Sequence, residues 1–249
     1  MNGIVYARNI KDRTLTFAVS GLLWENNLVM IDEETESLWS HLMGAAMKGP
    51  LEGEQLEIIP ALMTDWENWR SSYPESSVAM MSKTSDFTRN NRQMREQMTI
   101  GIAIGGEERN WPFVFLIDNV ANEVVGGHPV AVAYYEPTLT ATVFDRRVGD
   151  QELTFSLNGS TGFIHDHETG SVWNICSGNA VSGPLQGKQL TRLQGVVADG
   201  LSWSTFHPKS VQGKRQYLPQ IESNSGTVGP NVVSEPVEVE ESASAGSAQ

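Results

Sequence analysis

Cysteine is nearly absent: the 249-residue chain holds one, Cys176. A single thiol excludes an internal disulfide framework, a Cys-rich zinc site and an iron–sulfur cluster. Basic residues are also scarce. Lys plus Arg number 17 against 30 Asp plus Glu, a formal charge of −13, so there is no broad positive field to attract nucleic acid or an anionic membrane. No apolar run approaches the roughly 18–20 residues that span a bilayer. The opening Met1-Asn2-Gly3-Ile4-Val5-Tyr6-Ala7-Arg8 has no basic region followed by an apolar stretch and does not read as a signal peptide. A Ser-His-Asp order, a phosphate loop and a dinucleotide fingerprint are lacking too. The Gly-Gly pairs at 105–106 and 126–127 fit strand-connecting turns, with no helix following to hold a phosphate. With 39% hydrophobic residues the chain still carries enough apolar material for one large or two small cores.

What is present is a repeat. Residues 32–74 (DEETESLWSHLMGAAMKGPLEGEQLEIIPALMTDWENWRSSYP) align without a gap to residues 166–208 (DHETGSVWNICSGNAVSGPLQGKQLTRLQGVVADGLSWSTFHP), with about 16 of 43 positions identical. The matches include Trp39 with Trp173, Gly49-Pro50-Leu51 with Gly183-Pro184-Leu185, Asp65 with Asp199 and Trp69 with Trp203. After a slip of about four residues in a loop, Tyr6-Ala7-Arg8 pairs with Phe144-Asp145-Arg146, and Leu15-Thr16-Phe17 with Leu153-Thr154-Phe155. The chain is a tandem duplication. Its copies are unequal, because the second carries about 45 further residues of strand-like sequence before Phe144.

Short runs rich in Val, Ile, Leu and Thr, punctuated by Gly-Gly, Gly-Pro and Asn-Gly, predict a mostly β protein with a few short helices. The expected strands are Leu15–Val19, Asn27–Ile31, Leu56–Ile59, Ile100–Ile104, Val130–Tyr134 and Ala141–Phe144. One short helix is expected over Asp65–Ser72 and a polar connecting helix over Ser85–Gln97, with Ser85 as N-cap. The organisation is then a first copy over 1–75 lacking its N-terminal strands, a linker over 76–98, a second copy over 99–218, and an acidic, disordered tail over 219–249.

The block SGLLWENNLVMIDEETESLWSHLMGAAMKGPL with DWENW resembles domain of unknown function 3179, a bacterial and archaeal family. So do IGGEERNWPF, NEVVGGHPVAVAYY and FDRRVGDQELTF in the second copy. The resemblance implies a Cys-Pro-Leu-Cys-like motif after the strand matching Val130–Tyr134, with selenocysteine in some relatives. Such a pair can form a redox-active disulfide or ligate a soft metal. It also implies an extracytoplasmic setting and a redox partner. In this sequence the motif positions of copy two are Tyr135, Glu136, Pro137 and Thr138. Hydroxyls at Tyr135 and Thr138 cannot replace thiolates in exchange, so the motif is degenerate there. In copy one the same count puts the second thiol position immediately before Met1. The expectation is a fragment whose reactive pair lies upstream. A UGA selenocysteine codon, a mis-assigned start or cropping would each produce it.

Around that position the expected surround is Arg8, Trp39, Ser40 and His41, with His41 a proton donor or acceptor or, more simply, a hydrogen-bonded rim histidine. His165 and His167 share a strand face and are the one pair resembling a metal site, against the plainer reading of a polar hairpin lacking a third ligand. The matched tryptophans point to core packing over a sugar-stacking platform. Arg8 and Arg146 are expected to pair with Asp32 and Asp166. Cys176 lies opposite Leu42 and reads as a buried, inert hydrophobe. Two functions stand: a thiol or selenol redox or soft-metal protein, inactive as this chain, or a non-catalytic binding or scaffolding β module. An unpaired strand edge in the first copy would favour self-association.

Overall fold

The computed structural model describes residues 3–78, 95–117, 119–158 and 161–215. The first copy starts with an extended segment over 3–8 and a small hairpin, β1 (Asn9–Ile10) with β2 (Arg13–Thr14). An antiparallel meander follows from β3 (Phe17–Trp24) through β4 (Asn27–Asp32) and β5 (Leu38–Ser40) to β6 (Ala46–Lys48). Helix α1 (Trp66–Ser72) closes the copy, capped by the Asp65 carboxylate, which accepts from the Asn68 N–H.

The second copy begins with strands that have no counterpart among the described residues of the first. These are β7 (Met98–Ile104), β8 (Glu107–Pro112), β9 (Val120–Val125) and β10 (His128–Tyr135), with a single helical turn α2 (Phe113–Leu116) between β8 and β9. Next come β11 (Thr140–Asp145), the hairpin β12 (Arg147–Val148) and β13 (Gln151–Glu152), and the meander β14 (Phe155–Leu157), β15 (Phe163–Asp166), β16 (Val172–Asn174) and β17 (Ala180–Ser182). The copy ends with β18 (Val196–Asp199), α3 (Gly200–Phe206) and β19 (Val211–Gln212). Three sheets result, ordered β11-β10-β9, β14-β15-β16-β17 and β18-β7-β8-β19. β10 reads as a nearly unbroken apolar run because both its faces are covered. Its side chains divide between two cores, Val130 and Val132 on one side, Ala131 and Ala133 on the other.

The copies superpose register for register. Met30 faces Trp39 as Ile164 faces Trp173, and both final strand pairs carry the same bulge. One polar network explains most of the shared identities. Asp32, fully buried, accepts from the Trp39 indole at 2.8 Å, from the Thr35 N–H at 2.6 Å and from the Thr35 hydroxyl. Asp166 accepts from the Trp173 indole at 2.8 Å and the Thr169 N–H at 2.6 Å. Ser37 and Ser171 receive the N–H groups of Leu51 and Leu185. Gly49 and Gly183 lie against those serines at φ +110° and +93°, where an added Cβ would stand 2.8 and 2.6 Å from the serine Cα. This is why Gly-Pro-Leu recurs.

The expected pairing of Arg8 with Asp32 and Arg146 with Asp166 is corrected. Both aspartates are spent on indole and turn donors. Arg8 donates to the Leu15 carbonyl, and Arg146 to the Leu153 carbonyl and Glu152. Leu56–Ile59 is not a strand either; it makes one bridge, Tyr6 with Ile58, matching Phe144 with Arg192. β3 begins at Phe17, with Leu15 buried just before it. The connecting helix over Ser85–Gln97 falls largely outside the described residues, with only 95–97 seen as helical. The tail over 219–249 is also outside them.

Burial works to raise the Asp32 carboxyl, but the hydrogen bonds from Trp39, Thr35 and Ser37 together hold it below the usual carboxylate range. Its stabilisation is therefore complete above about pH 4 and disappears as the pH falls through the lower native value. Asp32→Ala leaves an indole N–H and two backbone N–H groups unpaired and should cost about 2–3 kcal/mol at pH 7. Urea unfolding at pH 7 and pH 3 checks both, since the penalty must shrink at the lower pH.

Candidate functional site

The two copies cross. The segment after the last meander turn of each copy bridges to the other copy. Met63 of copy one bridges to Ala141 of copy two, and Gly3 of copy one bridges to Val197 of copy two. Under the repeat alignment Gly3 corresponds to Ala141 and Met63 to Val197, so the two bridges are the same contact seen from either side of a pseudo-two-fold axis. The closing helices follow the strands across. α3 of copy two lies on copy one, where Trp203 joins Leu42, Ile4 and Ile58 in an apolar cluster with Val196, Ala198 and Phe206. Phe206 meets Trp24 edge-on at 4.8 Å.

The reciprocal contact, α1 of copy one on copy two, has a different chemistry. Leu42 is replaced by Cys176, Ile58 by Arg192, Ala198 by Thr64 and Phe206 by Ser72. Thr64 and Thr140 share a hydroxyl hydrogen bond at 2.8 Å, and the Asn68 amide donates to both at 2.9 and 3.1 Å. Thr138 continues the chain to Thr140 at 2.6 Å. The Arg192 guanidinium donates to the Cys176 carbonyl, to which the Tyr73 hydroxyl also donates at 3.5 Å, and it lies over the Phe144 ring. Burial raises the Cys176 thiol, more than the nearby Ser72 hydroxyl and the Arg192 charge lower it. The thiol is thus held protonated at neutral pH. Burial also lowers Arg192.

A second feature adjoins this interface, an open cleft of about 580 Å³ bordered by Gly3, Ile4, Met63, Trp66, Trp69 and Val197. It lies where the first copy has no counterpart of β7–β10. In copy two, Trp203 packs against Gly101 of β7, stacks on His207 and is 1% exposed. Its equivalent Trp69 keeps the same indole bond, to Ser76 at 2.8 Å as Trp203 to Ser210 at 2.8 Å, yet is only half-buried. The same lack uncovers β3. Leu157 of β14 is 7% exposed under β9, whereas its equivalent Val19 is 71% exposed.

Each expected site residue has its own surroundings. Trp39 and Ser40 are buried, the indole on Asp32 and the Ser40 hydroxyl accepting from the Met43 N–H. Arg8 is exposed and turned to its own hairpin. His41 is half-buried, pushed below the ordinary imidazole range by burial, with its carbonyl receiving the Tyr6 hydroxyl at 2.9 Å. Of the degenerate motif, Thr138 belongs to the hydroxyl chain, while Tyr135 lies against Gly162 and precedes the 3-10 turn Glu136–Thr138. His165 and His167 meet on one hydroxyl, Ser156, at 3.0 and 2.9 Å, and burial lowers His165. Among the described residues no group of three His, Cys, Asp or Glu side chains is close enough to hold a metal. Sequence reasoning missed Thr64, Asn68, Thr140 and Arg192, which come from opposite copies and carry no motif. A position-by-position comparison of the copies would have flagged Arg192 and Cys176 as polar replacements of apolar residues.

The family model described as protein of unknown function (DUF3179) matches residues 1–94 and again 84–211. The chain belongs to that family. It is a tandem DUF3179 protein whose first copy lacks counterparts of β7–β10 within these residues. No curated protein and no solved structure matches the chain. Among the described residues no helix is long and apolar enough to cross a membrane.

The unequal burial of the matched tryptophans has a measurable consequence. Trp203→Ala should cost about 3–5 kcal/mol by emptying a filled core position. Trp69→Ala, with one ring face already open, should cost less than half as much. Guanidinium unfolding of both variants checks the ratio, and equal losses would mean that the ring of Trp69 is covered in solution.

Proposed function

We propose that this DUF3179 chain is a non-catalytic binding module whose crossed repeats hold a rigid frame around the cleft beside Gly3, Met63 and Trp69. The observation that carries it is the pair of open apolar features on the first copy, the cleft itself and the exposed β3 side chains Val19, Leu22 and Leu23. Exposed patches of this kind on a folded protein mark interaction sites. Thiol or selenol exchange, which the family motif suggests, finds little support in these residues. Tyr135 and Thr138 stand at the motif positions, and the lone thiol is buried with its ionisation suppressed. An extracytoplasmic setting and a soft metal remain implications of the family motif alone.

The test is chemical. Cys176 in the native protein at pH 7.5 should react with an aromatic disulfide reagent at least tenfold more slowly than in guanidinium. The chain should also show no catalysed reduction of a protein disulfide above a Cys176→Ser control. Turnover that Cys176→Ser abolishes would overturn the reading.

A further inference from the structure

The two meanders share one register, and at three facing positions their side chains differ together. Copy one has Ala18 of β3 opposite Ile31 of β4, with Glu33 two residues on. Copy two has Ser156 of β14 opposite His165 of β15, with His167 two residues on. Residues two apart on an extended chain share a face, so a hydroxyl and two imidazoles are brought to one place. The Ser156 Oγ lies 3.0 Å from His165 Nε2 and 2.9 Å from His167 Nε2, and the ring centroids are 5.9 Å apart. Ser156 and His165 are buried and His167 is half-buried. The neighbouring carboxylates are occupied elsewhere. Asp166 accepts from the Trp173 indole and the Thr169 N–H, and Glu168 from the Thr154 N–H at 2.8 Å. Among the described residues no third His, Cys, Asp or Glu joins the pair, so the convergent donors are two imidazole nitrogens and one hydroxyl oxygen.

We propose that His165 Nε2, His167 Nε2 and Ser156 Oγ form a binding site for a divalent late first-row metal ion, copper(II) ahead of zinc(II). The hydroxyl carries a single hydrogen. It can donate to one imidazole and must accept from the other, so the hydrogen-bonded trio needs its two rings in opposite tautomers. A metal ion removes that asymmetry, because both rings then offer the Nε2 lone pair to one point. Each nitrogen has to approach the ion to about 2.0–2.1 Å, which rings already meeting on one oxygen reach by small side-chain rotations. Imidazole suits copper and zinc, and the order of intrinsic affinities puts copper(II) first. With no anionic ligand in the set, the ion keeps its charge and its remaining positions are open to water or to an anionic group from solution. The formal charge of −13 on the chain favours the arrival of a cation. This site belongs to the second copy's own meander, and it stands apart from the binding-module reading and its cleft.

The probes are copper(II) and zinc(II), each added alone to the full 249-residue chain. Copper(II) should bind one-to-one, and its electron paramagnetic resonance spectrum should carry hyperfine splitting from two imidazole nitrogens. Zinc(II) should compete for the same site with lower affinity. His165→Ile, which installs the residue of copy one in that register, and His167→Gln should each weaken copper binding about tenfold or more and reduce the splitting to one nitrogen. Equal binding by the parent chain and both variants assigns the ion to surface carboxylates and overturns the proposal. A parent-chain spectrum without two imidazole nitrogens overturns it as well, whether or not the variants fold. If neither ion binds saturably up to millimolar concentration, the trio is a hydrogen-bonded hairpin and the proposal falls.

Discussion

Everything in this molecule depends on the crossed backbone pairing of Met63 with Ala141 and Gly3 with Val197. Because the two bridges are equivalent under the repeat, the copies meet as a homodimer would, each lending its closing helix to the other's sheet. Helix α3 meets both copies, packing on β7 and β18 of its own and on Leu42, Ile4 and Ile58 of the other. The short α1 and α3 would be marginal alone and gain their stability from this packing.

Once two copies are joined in one chain, the halves of their interface are free to diverge. One half stayed apolar, with Leu42, Ile58, Ala198 and Phe206 around Trp203. The other became polar, with Cys176, Arg192, Thr64 and Ser72 in the same places. The polar half pairs most of its groups through the hydroxyl chain from Thr138 to Asn68 and the guanidinium on the Cys176 carbonyl, while the Ser72 hydroxyl is buried with no hydrogen-bond partner. That order limits chemistry as well: the thiol sits where ionising it is costly.

Much of the fold was legible because the repeat is conspicuous. The Asp-Thr-Ser-Trp and Gly-Pro-Leu identities mark one buried network, and the strands of β4, β7, β10 and β11 follow their β-branched runs. Leu56–Ile59 misled because an apolar run states burial, not the number of partners beside it. Arg8 and Arg146 misled because opposite charges matched in two copies look like pairs, while the aspartates answer to nearer donors. The candidate surround of Arg8, Trp39, Ser40 and His41 was read from the family resemblance, which says nothing of the direction in which each side chain points.

By itself the sequence determined that the protein is a β-rich duplication and that its one thiol stands opposite a leucine. These follow from periodicity and identity, which are local properties of the chain. Only the tertiary structure decided that the closing segments bridge between the copies, that Arg192 joins Cys176 beneath a helix from the other copy, and that Trp69 is only half-buried. Those facts are set by contacts between residues about 70 to 200 positions apart, where backbone pairing chooses between equivalent partners and no local signal records the choice.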